Sequence, residues 1–166
     1  MNSKINSDNK LVQKFMSFIN HYDHDKYWRR REIVVNPNIK ASKLRRLYYL
    51  YYIKKVDSYW HCTFGTGFLT GSQFSTPPLL WHGPNGIIMG YNVSVGKNSI
   101  ICQRVTMAQG APTIIGDNVF IGTNAYISAG IKIGDNVKIG ANCVVVENIP
   151  ANATVVMQKP RIIQRS

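Results

Sequence analysis

From Ile115 to Val145 an aliphatic residue falls on every sixth position: Ile115, Ile121, Ile127, Ile133, Ile139 and Val145. Gly follows most of them, at Gly116, Gly122, Gly134 and Gly140, and a second small or aliphatic residue sits four places on, at Val119, Ala125, Ile131, Val137, Cys143 and Ile149. A period of six fits neither the helical repeat nor simple strand alternation. It fits a short strand plus a tight turn, repeated so that one side chain per unit points to a common axis. Three such hexads close one triangular coil, and stacked coils form a solenoid. The Gly after each aliphatic suits a turn where the backbone bends tightly or takes positive φ. The pairs Asp117-Asn118, Thr123-Asn124 and Asp135-Asn136 tolerate the same geometry.

The period continues upstream through Met89-Gly90, Val95-Gly96, Ile101 and Met107, then reaches Ile115 two residues late. A small loop, Gln109-Gly110-Ala111-Pro112, must therefore interrupt the array there. Loops on rigid scaffolds are where binding chemistry concentrates, so this one is a candidate substrate rim.

The chain ahead of the repeats reads differently. Leu11, Phe15, Phe18 and Ile19 recur at helical spacing behind the N-cap candidates Ser7 and Asp8, and a second helix is expected from Ser42 to about Val56. Between them Asn36-Pro37-Asn38 reads as a turn, because Pro cannot continue a helix. The expected organisation is a helical region over 1–60, a connecting segment with a first irregular coil over 61–88, regular coils over 89–156 and a tail over 157–166.

Charge is concentrated at the front. Residues 1–60 carry thirteen Lys and Arg against five Asp and Glu, and the rest seven against three, which accounts for the net +12. Arg29-Arg30-Arg31, Lys43, Arg45, Arg46, Lys54 and Lys55 would favour anionic partners. No helix-turn-helix, zinc or RNA-recognition motif accompanies them, so nucleic acid is not expected. The run Leu47-Tyr-Tyr-Leu-Tyr-Tyr-Ile53 could lie at an anionic membrane surface. The preferred reading is that these aromatics form the seam that packs the helices on each other and on the first coil.

The N-terminus is polar and no apolar stretch approaches eighteen residues, so a cytoplasmic protein is expected, with a place at the inner face of the membrane left open. Cys62, Cys102 and Cys143 are odd in number and sit in apolar contexts, which reads as reduced core thiols. His61-Cys62 has no further ligand nearby, so no metal is expected.

Of the four histidines, His21, His24 and His61 precede the repeats. His82 stands where the first regular coil begins, in the Pro- and Gly-rich turn Pro78-Leu-Leu-Trp-His-Gly-Pro-Asn-Gly86. Imidazole is the side chain that can take a proton from a hydroxyl near neutrality, which makes His82 a candidate general base.

The segments His82-Gly-Pro-Asn-Gly-Ile-Ile-Met-Gly, Ser99-Ile-Ile-Cys-Gln-Arg-Val-Thr-Met and Pro112-Thr-Ile-Ile-Gly-Asp-Asn-Val-Phe-Ile-Gly resemble the core of the serine acetyltransferase family of hexapeptide transferases. The ending Ala153-Thr-Val-Val-Met-Gln-Lys-Pro-Arg-Ile-Ile163 is similar to the family's closing segment, and the likeness, covering 77–163, is nearest to short members linked to exopolysaccharide or capsule synthesis. The resemblance implies an all-β left-handed parallel β-helix with a small N-terminal α-helical region, assembled as a homotrimer, with acetyl-CoA in a groove between subunits. The hand is the family's; crossovers between parallel strands are otherwise almost always right-handed. The family's base maps onto His82. Backbone N–H groups around Ala108 and Gln109 are the expected oxyanion donors. Positions that meet the pantetheine arm map onto Thr123 and Ala141, and Lys159 and Arg161 are candidates for the CoA phosphates, with ordinary surface charge the alternative.

The chain departs from the family where the amino acid is held. Serine acetyltransferases have Asp directly before the His and an Arg-His pair before the next coil; here Trp81 and Gly110-Ala111 stand in those places. A zwitterion would be poorly paired without those charges, whereas Trp81, Asn85 and Gln109 suit a sugar ring. The acid that orients the His has no clear counterpart. Asp57 is the nearest upstream carboxylate, and a charge at the exposed end of a helix is the preferred reading of it; a backbone carbonyl would then fix the imidazole. The expected function is acetyl-CoA-dependent O-acetylation of a sugar hydroxyl of a surface polysaccharide or its precursor. The alternatives are serine O-acetylation and a non-catalytic hexapeptide trimer acting as scaffold or binding module.

Overall fold

The computed structural model describes residues 10–158 and residue 163. Three helices come first: α1 (Lys10–Ile19), α2 (His24–Val35) and α3 (Lys43–Tyr59). The cap candidates Ser7 and Asp8 lie outside the described residues. The start of α3 matches expectation, with Ser42 Oγ accepting from the Arg45 N–H. Asn36 Oδ1 accepts from the Asn38 N–H at 2.9 Å, which makes the expected turn.

Helix α2 was not foreseen. Asp23 caps it, accepting from the Lys26 N–H at 2.9 Å, but its buried face combines Tyr27, Trp28, Val34 and Val35 with a charged residue, Arg31. That mixture hides the apolar stripe that pattern reading relies on. The Arg31 guanidinium donates to Thr66 Oγ1 (2.9 Å), the Phe64 carbonyl (2.7 Å) and the Ser72 carbonyl (2.8 Å) and hydroxyl (2.7 Å), so it bolts α2 to the first coil. Arg46 is likewise buried and donates to the Ile33, Asn36 and Ile39 carbonyls. These two cations, counted above among groups for an anionic partner, are instead internal fasteners. Burying a guanidinium requires that its donors be met, and its five N–H groups suit several carbonyls at once.

The Leu47–Ile53 run divides. Ile53 is buried and Tyr49, Leu50 and Tyr52 pack on the core, whereas Leu47, Tyr48 and Tyr51 are exposed. Arg30 lies over the rings of Tyr48, Tyr49 and Tyr52, 4.3 Å from the last. The seam is therefore one stripe of the run rather than all of it.

The repeats form a parallel β-solenoid of about four turns with three faces. The first face stacks Thr63–Phe64, Ile88–Met89, Thr106–Met107, Tyr126–Ile127 and Val144–Val145. The second stacks Gln73–Phe74, Val93–Val95, Thr113–Ile115 and Lys132–Ile133, and the third Ile100–Ile101, Phe120–Ile121, Lys138–Ile139 and Thr154–Val155. Thr63–Phe64, Gln73–Phe74 and Leu79, which bridges to Ile100, add an irregular coil at the start. Every hexad aliphatic from Met89 to Val145 is buried. Each such side chain contributes roughly 1.5–3 kcal/mol of apolar burial. Ile115 pairs with Ile133, three hexads on, but Met107 pairs with Ile127, two residues more; the excess is the Gln109–Pro112 loop.

Gly and Asn divide the work of the turns. Asn118, Asn124, Asn136 and Asn142 hold φ between 57° and 59°. Gly122 has no positive φ; a Cβ there would stand 2.6 Å from the Ala141 nitrogen of the next coil, so it is Gly because the coils approach closely.

Candidate active site

His82, expected in a turn, stands instead in a short strand, Trp81–Pro84, that backbone bonds tie down around both of its ends. The Gly83 N–H donates to the Leu80 carbonyl (3.2 Å), the Ile87 N–H to Pro84 (3.1 Å), and the Gly86 N–H to Trp60 (3.1 Å), the residue that closes α3. Gly83 takes φ +68°, and a Cβ on it would meet the Trp60 ring at 3.4 Å. The strand and the turn that follows it are thus seated on the end of α3, while the His82 side chain is exposed.

Residues 79–83 form one wall of a cavity of about 460 Å³, and Asn20, Tyr22, His24 and Trp60 form the other. Trp81 and His82 share it, and the Trp81 ring, 57% exposed, leans on Phe120 with centroids 5.6 Å apart. Among the described residues no Asp, Glu, Lys or Arg lines it. The helical wall was missed from sequence. Tyr22 and His24 lie sixty and fifty-eight positions ahead of His82, and only the packing of α2 and α3 on the first coil brings them to it.

The site is on the corner where the third face turns into the first. Down that corner the coils are linked by the Arg104 N–H to the Asn85 carbonyl (2.9 Å), Asn124 to Gln103 (3.2 Å) and Asn142 to Thr123 (2.8 Å). Thr123 and Ala141 therefore stack one coil apart on the corner that begins at His82, half-buried and exposed respectively. Asn85 is exposed on the same corner but outside the cavity lining.

Gln109 lies elsewhere. Its loop joins the first face to the second, at the opposite edge of the first face from His82, and packs on Gly90. The loop is held by Asn92 Nδ2 to the Gly110 carbonyl (3.1 Å) and by the Gly130 N–H to the Ala111 carbonyl (3.0 Å). One chain alone does not bring Gln109 to His82. The Ala108 N–H donates to Ile127 at 2.9 Å, so it is committed to the ladder and is not a free oxyanion donor. Lys159 and Arg161 lie outside the described residues.

Asp57 is not the exposed helix-end charge expected. It is 5% exposed, accepts from the Tyr27 hydroxyl at 2.6 Å and faces the Cys62 thiol at 3.9 Å, while its second oxygen has no partner. Burial pushes its carboxyl up to about 6, against the lowering pull of the Tyr27 bond and of Lys54 and Arg31. The same burial, with Asp57 beside it, pushes the Cys62 thiol up. Asp57 does not line the His82 cavity, and its bonds belong to the junction of α2, α3 and the first coil. Cys62, Cys102 and Cys143 are free and buried. Among the described residues no group of three or more His, Cys, Asp or Glu could hold a metal ion, and no helix is long and apolar enough to cross a membrane.

Residues 112–147 match the hexapeptide repeat of succinyl-transferase. Among solved structures, the chain is similar to Neisseria gonorrhoeae serine acetyltransferase in complex with serine, 32% identical over 70% of this chain and 48% of that one, TM-score 0.55. It is also similar to Entamoeba histolytica serine acetyltransferase 1 in complex with L-cysteine, 28% identical over 68% of this chain and 45% of that one, TM-score 0.57. A serine acetyltransferase in complex with CoA is 26% identical over 68% of this chain and 46% of that one, TM-score 0.56. The chain thus spans less than half the length of these three enzymes. No curated protein matches it.

Proposed function

We propose that this chain is an acetyl-CoA-dependent O-acetyltransferase in which His82 acts as general base. One observation carries the proposal: His82 opens into a cavity at the head of the solenoid corner along which Thr123 and Ala141 stack. Small side chains on that corner leave the main chain open to a pantetheine arm, and the solved complex of a similar chain with CoA supports the donor.

In the reaction, His82 takes the proton of the acceptor hydroxyl as the oxygen attacks the thioester carbonyl. The tetrahedral intermediate collapses, the C–S bond breaks, and the imidazolium returns its proton to the departing thiolate of CoA. General-base assistance of this kind is worth about 10²- to 10⁴-fold. An N–H donor for the oxyanion would come from the Gln109 loop of a neighbouring subunit in a homotrimer, since that loop and His82 lie at opposite edges of one face.

Serine is the acceptor that the comparisons favour over the sugar expected from sequence, because the similar structures are serine acetyltransferases, one with serine bound. The sugar hydroxyl of a surface polysaccharide or its precursor is the second reading, and the uncharged lining of the cavity among the described residues favours it. The test is thiol release from acetyl-CoA by wild type and His82→Ala, with L-serine, with a panel of sugars and nucleotide sugars, and with no acceptor. Release that needs an acceptor and vanishes in His82→Ala supports the proposal. Silence throughout, with no detectable acetyl-CoA binding, refutes it in favour of a scaffold.

A further inference from the structure

A hydrogen-bonded chain runs through the helical wall of the His82 cavity. Trp28 Nε1 donates to the Tyr22 hydroxyl at 3.3 Å, and that hydroxyl lies 2.9 Å from His24 Nδ1. Indole N–H can only donate, so the Tyr22 oxygen accepts from Trp28; it directs its own proton to His24 in the tautomer that leaves Nδ1 unprotonated. Burial holds the Tyr22 phenol well above its ordinary range, which keeps it a donor. Burial also lowers the His24 ring below 6.5, with Asp25 and Asp23 pulling the other way. A neutral ring that accepts at Nδ1 carries its proton on Nε2. In that tautomer His24 is a donor, opposite in polarity to a base.

We infer that Tyr22 and His24 are acceptor-positioning residues: His24 Nε2–H binds an oxygen of the acceptor while Trp60 and Trp81 cover its apolar face, selecting a compact, uncharged, hydroxyl-bearing molecule. This inference rests on the acyltransferase reading above and, for the acceptor, on its second form, the sugar hydroxyl favoured by the uncharged lining. The volume of about 460 Å³ suits one monosaccharide-sized unit. A carboxylate and ammonium would enter without a counter-charge from the described lining. Two histidines with different surroundings then divide the chemistry, one taking the proton and one holding the substrate.

The experiment is steady-state thiol release by the full chain with L-serine, methyl hexosides and N-acetylhexosamines, comparing wild type with Tyr22→Phe, His24→Phe and His24→Gln, each checked for an unchanged thermal melt. The expected result is turnover of an uncharged sugar. In His24→Phe the KM for that sugar should rise about tenfold, with a smaller rise in Tyr22→Phe and partial rescue in His24→Gln, which keeps a donor. The KM for acetyl-CoA and the pH profile of kcat should not move. An unchanged sugar KM in all three variants, or wild-type preference for L-serine over every sugar, overturns the inference and leaves the acyltransferase reading standing. No thiol release by wild type with any acceptor, together with no detectable acetyl-CoA binding, overturns both.

Discussion

The Tyr27 hydroxyl donates to Asp57 Oδ1 at 2.6 Å, thirty residues away, in a junction from which water is largely excluded. Burial raises this carboxyl from its ordinary 3.8 to about 6. The folded protein thus binds the proton more tightly than the unfolded chain does. Stability from this group is fully present below about 3.8 and is lost as pH rises toward 6. The span corresponds to on the order of 3 kcal/mol. Asp57→Asn should flatten that part of the profile, checked by urea unfolding of both proteins between pH 4 and 6.5.

Removing the Arg31 guanidinium would strip Thr66 Oγ1 and the Ser72 carbonyl of their donors inside the core and leave the Phe64 carbonyl with the Ser72 hydroxyl alone. Arg31→Ala should destabilise the docking of the helices by at least about 3 kcal/mol. Arg31→Lys should recover little, since an ammonium cannot match the guanidinium fork. Denaturant unfolding followed by tryptophan fluorescence would read this, because Trp28 and Trp60 both lie in the helical region.

Gly122→Ala sets a methyl group 2.6 Å from the Ala141 nitrogen, where a coil would have to shift. A cost of about 1–3 kcal/mol is expected from overpacking. Thermal melting against wild type is the check, and an unchanged melt would mean that the coils separate more easily than their ladder implies.

If Thr123 and Ala141 border the pantetheine path, a bulky side chain there should obstruct the donor and leave the acceptor alone. Ala141→Phe is expected to raise the KM for acetyl-CoA about tenfold or more with the acceptor KM unchanged. Because Ala141 is exposed, its folding stability should not change by more than about 0.5 kcal/mol. Initial rates over an acetyl-CoA series, with a melt of the same preparation, test both statements.

The solenoid was legible because its rule is local. Each hexad states which side chain goes inward, and the burial of Ile121, Ile127 and Ile139 follows from period alone. The interruption at Gln109 was legible for the same reason, since a two-residue slip in a fixed period can only be a loop. His82 stood out as the histidine beside the first coil, although the turn expected around it is a short strand. What failed did so where several distant segments meet. Arg31 and Arg46 looked like surface charge, and Asp57 like a helix-end charge, because nothing within a few residues of them shows that carbonyls or a tyrosine hydroxyl will come to cover them.

By itself, then, the sequence determined the stacked coils, the residues of their core and the histidine at their first turn, because a repeat encodes its contacts with neighbours at fixed separation. The tertiary structure decided what faces that histidine. Tyr22, His24 and Trp60 reach the cavity through the docking of helices on the first coil, and Gln109 is carried to the far edge of the same face. Those placements depend on contacts between segments tens of residues apart, which no period records.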